Sequence, residues 1–140
     1  MNLVLINSPL QDYGKTKRND YYTTPPVGLG YLGTIAKQQG CEVSLVDAEA
    51  LGLSPEETSK VVEEKKPDVV GINLTTPTLP FSRKIIEQLD VPKIIAGGPD
   101  ATIRPQKILE QVPEIDLLVR VKENKLWRNS FILDLILLGF

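Results

Sequence analysis

Residues 67–102 read PDVVGINLTTPTLPFSRKIIEQLDVPKIIAGGPDAT. Two short apolar runs, DVVGIN and KIIA, flank a segment whose apolar residues recur at helical spacing, FSRKIIEQL. A strand, a helix and a second strand in that order make a parallel unit, because the helix must carry the chain back across the sheet before the next strand starts. The runs are apolar at nearly every position instead of every second one. That is the pattern of strands covered by helices on both faces. The residues just after each run also depart from a plain core: NLTTPT after the first, GGPDAT after the second.

The same alternation extends in both directions. Asn2–Asn7 reads as the first strand, Val27–Gln39 as a helix stopped by Gly40, and Glu42–Asp47 as the second strand. Ser54-Pro55-Glu56-Glu57 supplies an N-cap, a proline at the first helical position and acids in the first turn of a helix reaching about residue 65. Asp68–Asn73, Lys93–Ala96 and Asp116–Val119 read as the third to fifth strands, with helices at Phe81–Leu89 and Pro105–Gln111. The sequence predicts an α/β, flavodoxin-like (Rossmann-like) doubly wound parallel sheet of five strands, order 2-1-3-4-5, with helices on both faces. Such folds bind ligands beyond the carboxyl ends of the strands, beside strand 1.

Composition narrows the function. The chain has 140 residues, enough for one domain with a sizeable core, and a net charge of −2 that gives no basic surplus for nucleic acid. There is no histidine, which removes the commonest metal ligand and general base. One cysteine, Cys41 at the start of strand 2, excludes an internal disulfide and reads as a buried structural thiol. The start, MNLVLINSP, is not a signal peptide, and no apolar run is long enough for a membrane span. A cytoplasmic protein is expected.

Three groups of residues stand where the strands end. After strand 1 comes the long segment Ser8–Pro26, with Tyr13, Tyr21, Tyr22, Lys15, Lys17 and Arg18. Connections of this length in a compact domain are usually functional or disordered, so it reads either as a solvated loop or as a lid over a large, partly planar ligand. After strand 3, Asn73, Thr75, Thr76 and Thr78 offer an amide and three hydroxyls, groups that donate and accept hydrogen bonds without charge. A helix N-cap and a Thr turn account for one or two of them. After strand 4, Gly97-Gly98-Pro99 gives a bare backbone that a ligand could touch. In the inferred order strands 1, 3 and 4 are neighbours, so the three groups converge on one groove.

The series PPVGLGYLGTIAKQQGCEVSLVDA, PDVVGINLTTPT, KIIAGGPDAT and ILEQVPEIDLLVR resembles the N-terminal cobalamin (B12)-binding domain of B12-dependent radical SAM enzymes, a family that includes methyltransferases and the anaerobic magnesium-protoporphyrin monomethyl ester cyclase. The resemblance covers roughly residues 2–120. It implies a corrinoid lying on the carboxyl edge of the sheet, with its nucleotide tail descending near Thr75, Thr76, Gly97 and Gly98. The cofactor-binding residues it implies are Asn7, Ser8, Pro9, Asn73, Thr75, Thr76, Thr78, Gly97, Gly98, Pro99, Asp100 and Arg120, with Arg104 as a further loop candidate. B12 domains of the mutase and methionine synthase type place a cobalt-ligating histidine in an Asp-x-His-x-x-Gly segment after strand 1. This chain has Asn7-Ser8-Pro9 there instead. The resemblance therefore implies base-off cobalamin with no imidazole beneath it.

Radical SAM chemistry needs three closely spaced cysteines for a [4Fe–4S] cluster, and Cys41 alone cannot supply them. The chain is expected to be non-catalytic on its own. Its end also departs from the family, which continues Arg-Gly-Glu-Gly-Glu-Gln-Thr-Leu-Glu-Glu-Leu-Ile. Reading codons for that series one base out of frame after the arginine yields Val-Lys-Glu-Asn-Lys-Leu-Trp-Arg-Asn-Ser, which is the run Val121–Ser130. The expected organisation is a cobalamin-binding domain at 1–120 and an atypical, frameshifted tail at 121–140. The competing reading is a genuine stand-alone domain with an amphipathic last helix. FILDLILLGF in the tail would cover a sheet face, or promote homodimerisation if left exposed.

Other readings are weaker. GLGYLG (Gly28, Gly30, Gly33) has dinucleotide spacing but comes after a loop, not a strand, and small residues for helix–sheet packing explain it. A flavodoxin-like nucleotide or phosphate binder remains the alternative, although no Gly-Lys-Ser/Thr run is present. A phosphoacceptor receiver is disfavoured because strands 1 and 3 end in Asn7 and Asn73 where it needs acids. Asp47, after strand 2, reads as a cap of the next turn or a ribose contact.

Overall fold

The computed structural model describes residues 1–17 and 23–120. The expectations placed on Arg18, Tyr21, Tyr22 and the tail at 121–140 fall outside the described residues. The elements run β1 (Asn2–Asn7), α1 (Val27–Gln38), β2 (Glu42–Asp47), α2 (Ala48–Leu51), α3 (Pro55–Glu64), β3 (Val69–Asn73), α4 (Leu79–Gln88), β4 (Ile94–Gly97), α5 (Pro99–Ile103), α6 (Pro105–Gln111) and β5 (Leu117–Leu118).

The five strands form one sheet in the order β2-β1-β3-β4-β5, and every pairing is parallel. This is the doubly wound architecture the alternation predicts. The chain builds outward from β1 to β2, then crosses to the other side of β1 to lay down β3, β4 and β5. Register aligns Asn7 with Asp47, Leu5 with Gly71, and Asn73 with Gly97. All carboxyl ends therefore share one rim, and the order reverses beside β1.

Local chemistry sets the helix limits. Ser54 and Glu57 form a reciprocal capping box, Glu57 N–H to Ser54 Oγ at 3.1 Å and Ser54 N–H to Glu57 Oε2 at 2.8 Å, with Pro55 at the first helical position. Such a cap stabilises a helix by about 1 kcal/mol. Asp47 caps α2 by accepting from the Ala50 N–H at 3.1 Å, and Gly52, at φ 64°, ends it in the left-handed region. The helix α4 starts at Leu79, two residues before the predicted Phe81, because Pro80 presets the backbone of its first turn.

The sheet divides the core in two. On one face Val4, Ile6, Val70 and Ile72 pack with Ile85 and Ile86 of α4, alongside Val62 of α3 and Ile108 of α6. On the other face Leu3, Leu5, Val69 and Ile95 pack with Leu29 and Ala36 of α1, and Cys41 is buried among them as expected. Gly33 lets α1 approach closely. A Cβ there would stand 3.3 Å from Val43 Cγ1 and 3.4 Å from Leu5 Cδ1. The packing explanation for GLGYLG holds at that position alone, since a Cβ on Gly28 or Gly30 would meet nothing within 4 Å. Among the described residues, no helix is long and apolar enough to cross a membrane.

Candidate functional site

The loops after β1, β3 and β4 rise from the same rim, as the strand order requires. The loop after β4 explains one glycine of its pair and leaves the other open. Gly98 has φ 112°, and a Cβ on it would stand 2.7 Å from the Leu74 carbonyl oxygen and closer still to Asn73 Oδ1. The group that comes so close to this backbone is the protein's own β3 end. Leu74 N–H donates to the Gly97 carbonyl at 2.7 Å, and Asp100 N–H to the Leu74 carbonyl at 3.1 Å, so the two loops are laced together. Gly97 differs. Its φ is not in the left-handed region, and a Cβ there would meet only Val119, at 3.7 Å, an ordinary contact. No neighbour among the described residues forbids a side chain at Gly97.

The polar residues of the β3 loop are engaged with one another. Thr75 and Thr78 share a hydroxyl–hydroxyl bond of 2.8 Å, and Thr78 Oγ1 also accepts from the Thr75 N–H at 3.2 Å. This is the Thr turn anticipated before α4, although Thr78 makes no side-chain cap to the helix. Thr76 is exposed and its hydroxyl donates to Asp100 Oδ1 at 3.2 Å. Asp100 is 1% exposed and receives the Arg104 guanidinium in a fork, with Nη2 at 2.6 and 2.7 Å and Nε at 2.8 Å. A buried carboxylate needs such a partner. Asp100 and Arg104 were expected as contacts to a ligand; their geometry makes them a clasp that braces the β4 loop against Thr76.

The loop after β1 is anchored as far as it is described. Ser8 is 2% exposed and accepts from the Ser82 hydroxyl of α4 at 2.7 Å. Pro9 is buried beside it. Asn7 Nδ2 donates to Asp47 Oδ1 at 2.9 Å, so Asp47 joins the ends of β1 and β2 while it caps α2. Glu49 of α2 accepts from Leu10 N–H and from the Tyr13 hydroxyl, both at 2.7 Å. Residues 10–13 thus stand as a wall tied to α2, as far as the loop is described. Glu49 was not singled out from the sequence. The helix-forming string Ala-Glu-Ala-Leu between Asp47 and Gly52 is the signal that could have found α2.

Arg120 is exposed at the end of the described chain, beyond β5. Among the described residues, no group of three or more His, Cys, Asp or Glu side chains could hold a metal ion. The rim carries uncharged polar groups, with Asn7 bonded to Asp47, Thr75 to Thr78 and Thr76 to Asp100, and Asn73 in register with Gly97, where no side chain stands.

Comparison with known proteins agrees with this geometry. A family model described as "B12 binding domain" matches residues 16–125. The chain is 29% identical over 127 residues to an uncharacterized methyltransferase of Pyrococcus horikoshii, covering 86% of this chain and 26% of that protein. It is 27% identical over 111 residues to the anaerobic magnesium-protoporphyrin IX monomethyl ester cyclase of Rubrivivax gelatinosus, covering 75% and 20%. It is 29% identical over 101 residues to the cyclase of the same name from Cereibacter sphaeroides, covering 69% and 16%. The chain thus spans about a quarter or less of the length of these relatives.

Proposed function

The chain belongs to the B12-binding domain family, and on that premise we propose that residues 1–120 hold cobalamin base-off against the carboxyl rim, with no histidine beneath the cobalt. Gly97 is the observation that carries the reading. It is a half-buried stretch of backbone whose missing side chain no packing among the described residues requires, set in register with Asn73 at the mouth of the sheet. A ligand tail passing over it accounts for the bareness.

The candidate residues take different roles in this reading. Asn73 and Thr76 offer hydrogen bonds to the cofactor's amides and phosphate, while Gly97, whose backbone is already paired with β3, offers a surface without a side chain for its tail. Asn7, Ser8 and Pro9 set the start of the β1 loop. Thr75, Thr78, Gly98, Pro99 and Asp100 hold the two neighbouring loops in shape, and Arg120 adds a cation at the far strand. When bound, cobalamin supplies cobalt-centred alkyl-transfer or related chemistry. The chain's residues orient it and shield part of its surface.

The catalytic chemistry of the relatives is proposed to lie outside these residues, since one cysteine cannot hold a [4Fe–4S] cluster. The tail from residue 121 is proposed to be read out of frame. Sequencing the gene decides that point: the shifted frame after Arg120 must encode Gly-Glu-Gly-Glu, and an unrelated sequence there refutes it.

The cofactor reading is tested by mixing the purified 140-residue chain with hydroxocobalamin, removing free ligand by gel filtration and recording the visible spectrum. A coloured protein with a base-off spectrum supports it. A colourless protein overturns it, and a melting temperature raised by FMN or a nucleotide would then favour the phosphate-binding alternative.

A further inference from the structure

We propose that Glu49 is a positioning residue for the cofactor: its carboxylate clamps the first loop of the rim to α2 and thereby sets where that loop stands relative to bound cobalamin. The inference rests on the cobalamin reading above. With no histidine in the chain, no imidazole can tie this loop to the cobalt. The loop's position must come from the protein side.

Glu49 is placed to supply it. One oxygen accepts from the Leu10 N–H at 2.7 Å and the other from the Tyr13 hydroxyl at 2.7 Å, across 39 and 36 residues of chain. Both are short bonds to a charged acceptor, the stronger kind. The clamp has a firm base. Ala48, the residue before it, is fully buried, and Asp47 caps the same short helix while holding Asn7 at the end of β1. Gly52 closes the helix three residues later. Beyond Tyr13 the loop folds into a turn in which the Asp12 carbonyl accepts from the N–H groups of Lys15 and Thr16, at 3.0 and 2.9 Å. This turn and the Leu51–Gly52 end of α2 line an open cleft of about 320 Å³. Releasing Glu49 would free Leu10 and Tyr13 from α2, and with them the wall of the loop beside this cleft.

The test uses the full chain and the variants Glu49→Ala, Glu49→Gln and Tyr13→Phe. Two readouts are taken beside the melting temperature: hydroxocobalamin binding by visible titration, and the rate of trypsin cleavage after Lys15 and Lys17 without cofactor. Glu49→Ala loses both bonds and should weaken binding and speed cleavage, each by about tenfold or more. Tyr13→Phe, which loses one of the two bonds, should show a smaller change in both. Glu49→Gln keeps an acceptor for Leu10 and should return both readouts to within about threefold of the parent. Every variant is read well below its melting temperature, where each is fully folded. Unchanged cleavage in Glu49→Ala refutes the clamp. Faster cleavage with parental affinity and spectrum refutes the positioning role. An affinity loss in Glu49→Ala that Glu49→Gln does not restore refutes it too. Failure of the parent chain to bind hydroxocobalamin is a separate result and overturns the cofactor reading itself.

Discussion

On one face of the sheet Val4, Ile6, Val70 and Ala96 are fully buried and Ile72 is 2% exposed, beneath α3, α4 and α6. On the other face Gly71, Asn73, Gly97, Leu117 and Val119 all remain half-buried. Among the described residues α1 is the helix packed on that second face, and it lies against β1 and β2. Both faces are made by the same strands, residue by alternate residue. The first is filled to the density of a core. The second buries Leu3, Leu5, Val69 and Ile95 against α1, with Leu5 Cδ2 filling the space at Gly71, and is less covered by the described residues at Gly97, toward the rim. Among the described residues the first face is covered along its length, and the second is left partly open at the β4 end of the rim. One chain can hold both because a strand's two sets of side chains are independent choices.

The contrast breaks if the two faces respond alike to truncation. Ile6→Ala, in the filled face, should destabilise by about 4 kcal/mol, through lost transfer energy and the cavity left behind. Leu45→Ala, 43% exposed on β2, should cost less than about 1 kcal/mol. Urea unfolding of both variants measures the difference. Equal losses would mean that the β2 edge of the second face is as tightly filled as the first.

Next in size is Gly98→Ala. The new methyl would meet the Leu74 backbone and the Asn73 side chain at a left-handed φ, and neither neighbour can withdraw without breaking the lacing of the two loops. A loss of about 3 kcal/mol is expected by chemical denaturation. Asp100→Asn comes next at about 2 kcal/mol. It removes the charge that faces Arg104 while keeping the shape, so the fork loses a bond and its electrostatic share. A neutral result at Asp100 would show that the clasp is solvated in practice and that the β4 loop is held by its backbone bonds alone.

Much of this was legible in the sequence, and the reasons are local. The strands β1 and β2 were bounded by their apolar runs, and α3 by the Ser54–Glu57 box. Strand order came from connectivity. What escaped was of two kinds. The helices α2 and α5, of four and five residues, are too short for periodicity to register. The other kind is non-local. The demand for glycine at position 98 comes from Asn73 and Leu74, two dozen residues earlier, and the role of Glu49 comes from Leu10 and Tyr13. Composition marked Thr75 and Thr78 as hydroxyls available to a ligand, whereas the fold has them satisfy each other. A sequence shows which groups a loop contains but not which of them the loop uses on itself.

The smallest effect on stability is the most informative about binding. Gly97→Ala places a methyl 3.7 Å from Val119 at a backbone angle any residue tolerates. It should leave stability unchanged or raise it by about 0.5 kcal/mol, because alanine restricts the unfolded chain. The same methyl would stand where the ligand tail is proposed to pass, and hydroxocobalamin affinity should fall by tenfold or more, equivalent to about 1.4 kcal/mol. Adjacent glycines would then divide as the two faces do. Gly98 answers to the fold, with loss of stability as its signature, and Gly97 answers to the ligand, with loss of affinity at constant stability. A Gly97→Ala protein that binds cobalamin as tightly as its parent would leave the bare backbone at β4 without a purpose and shift the site away from this rim position.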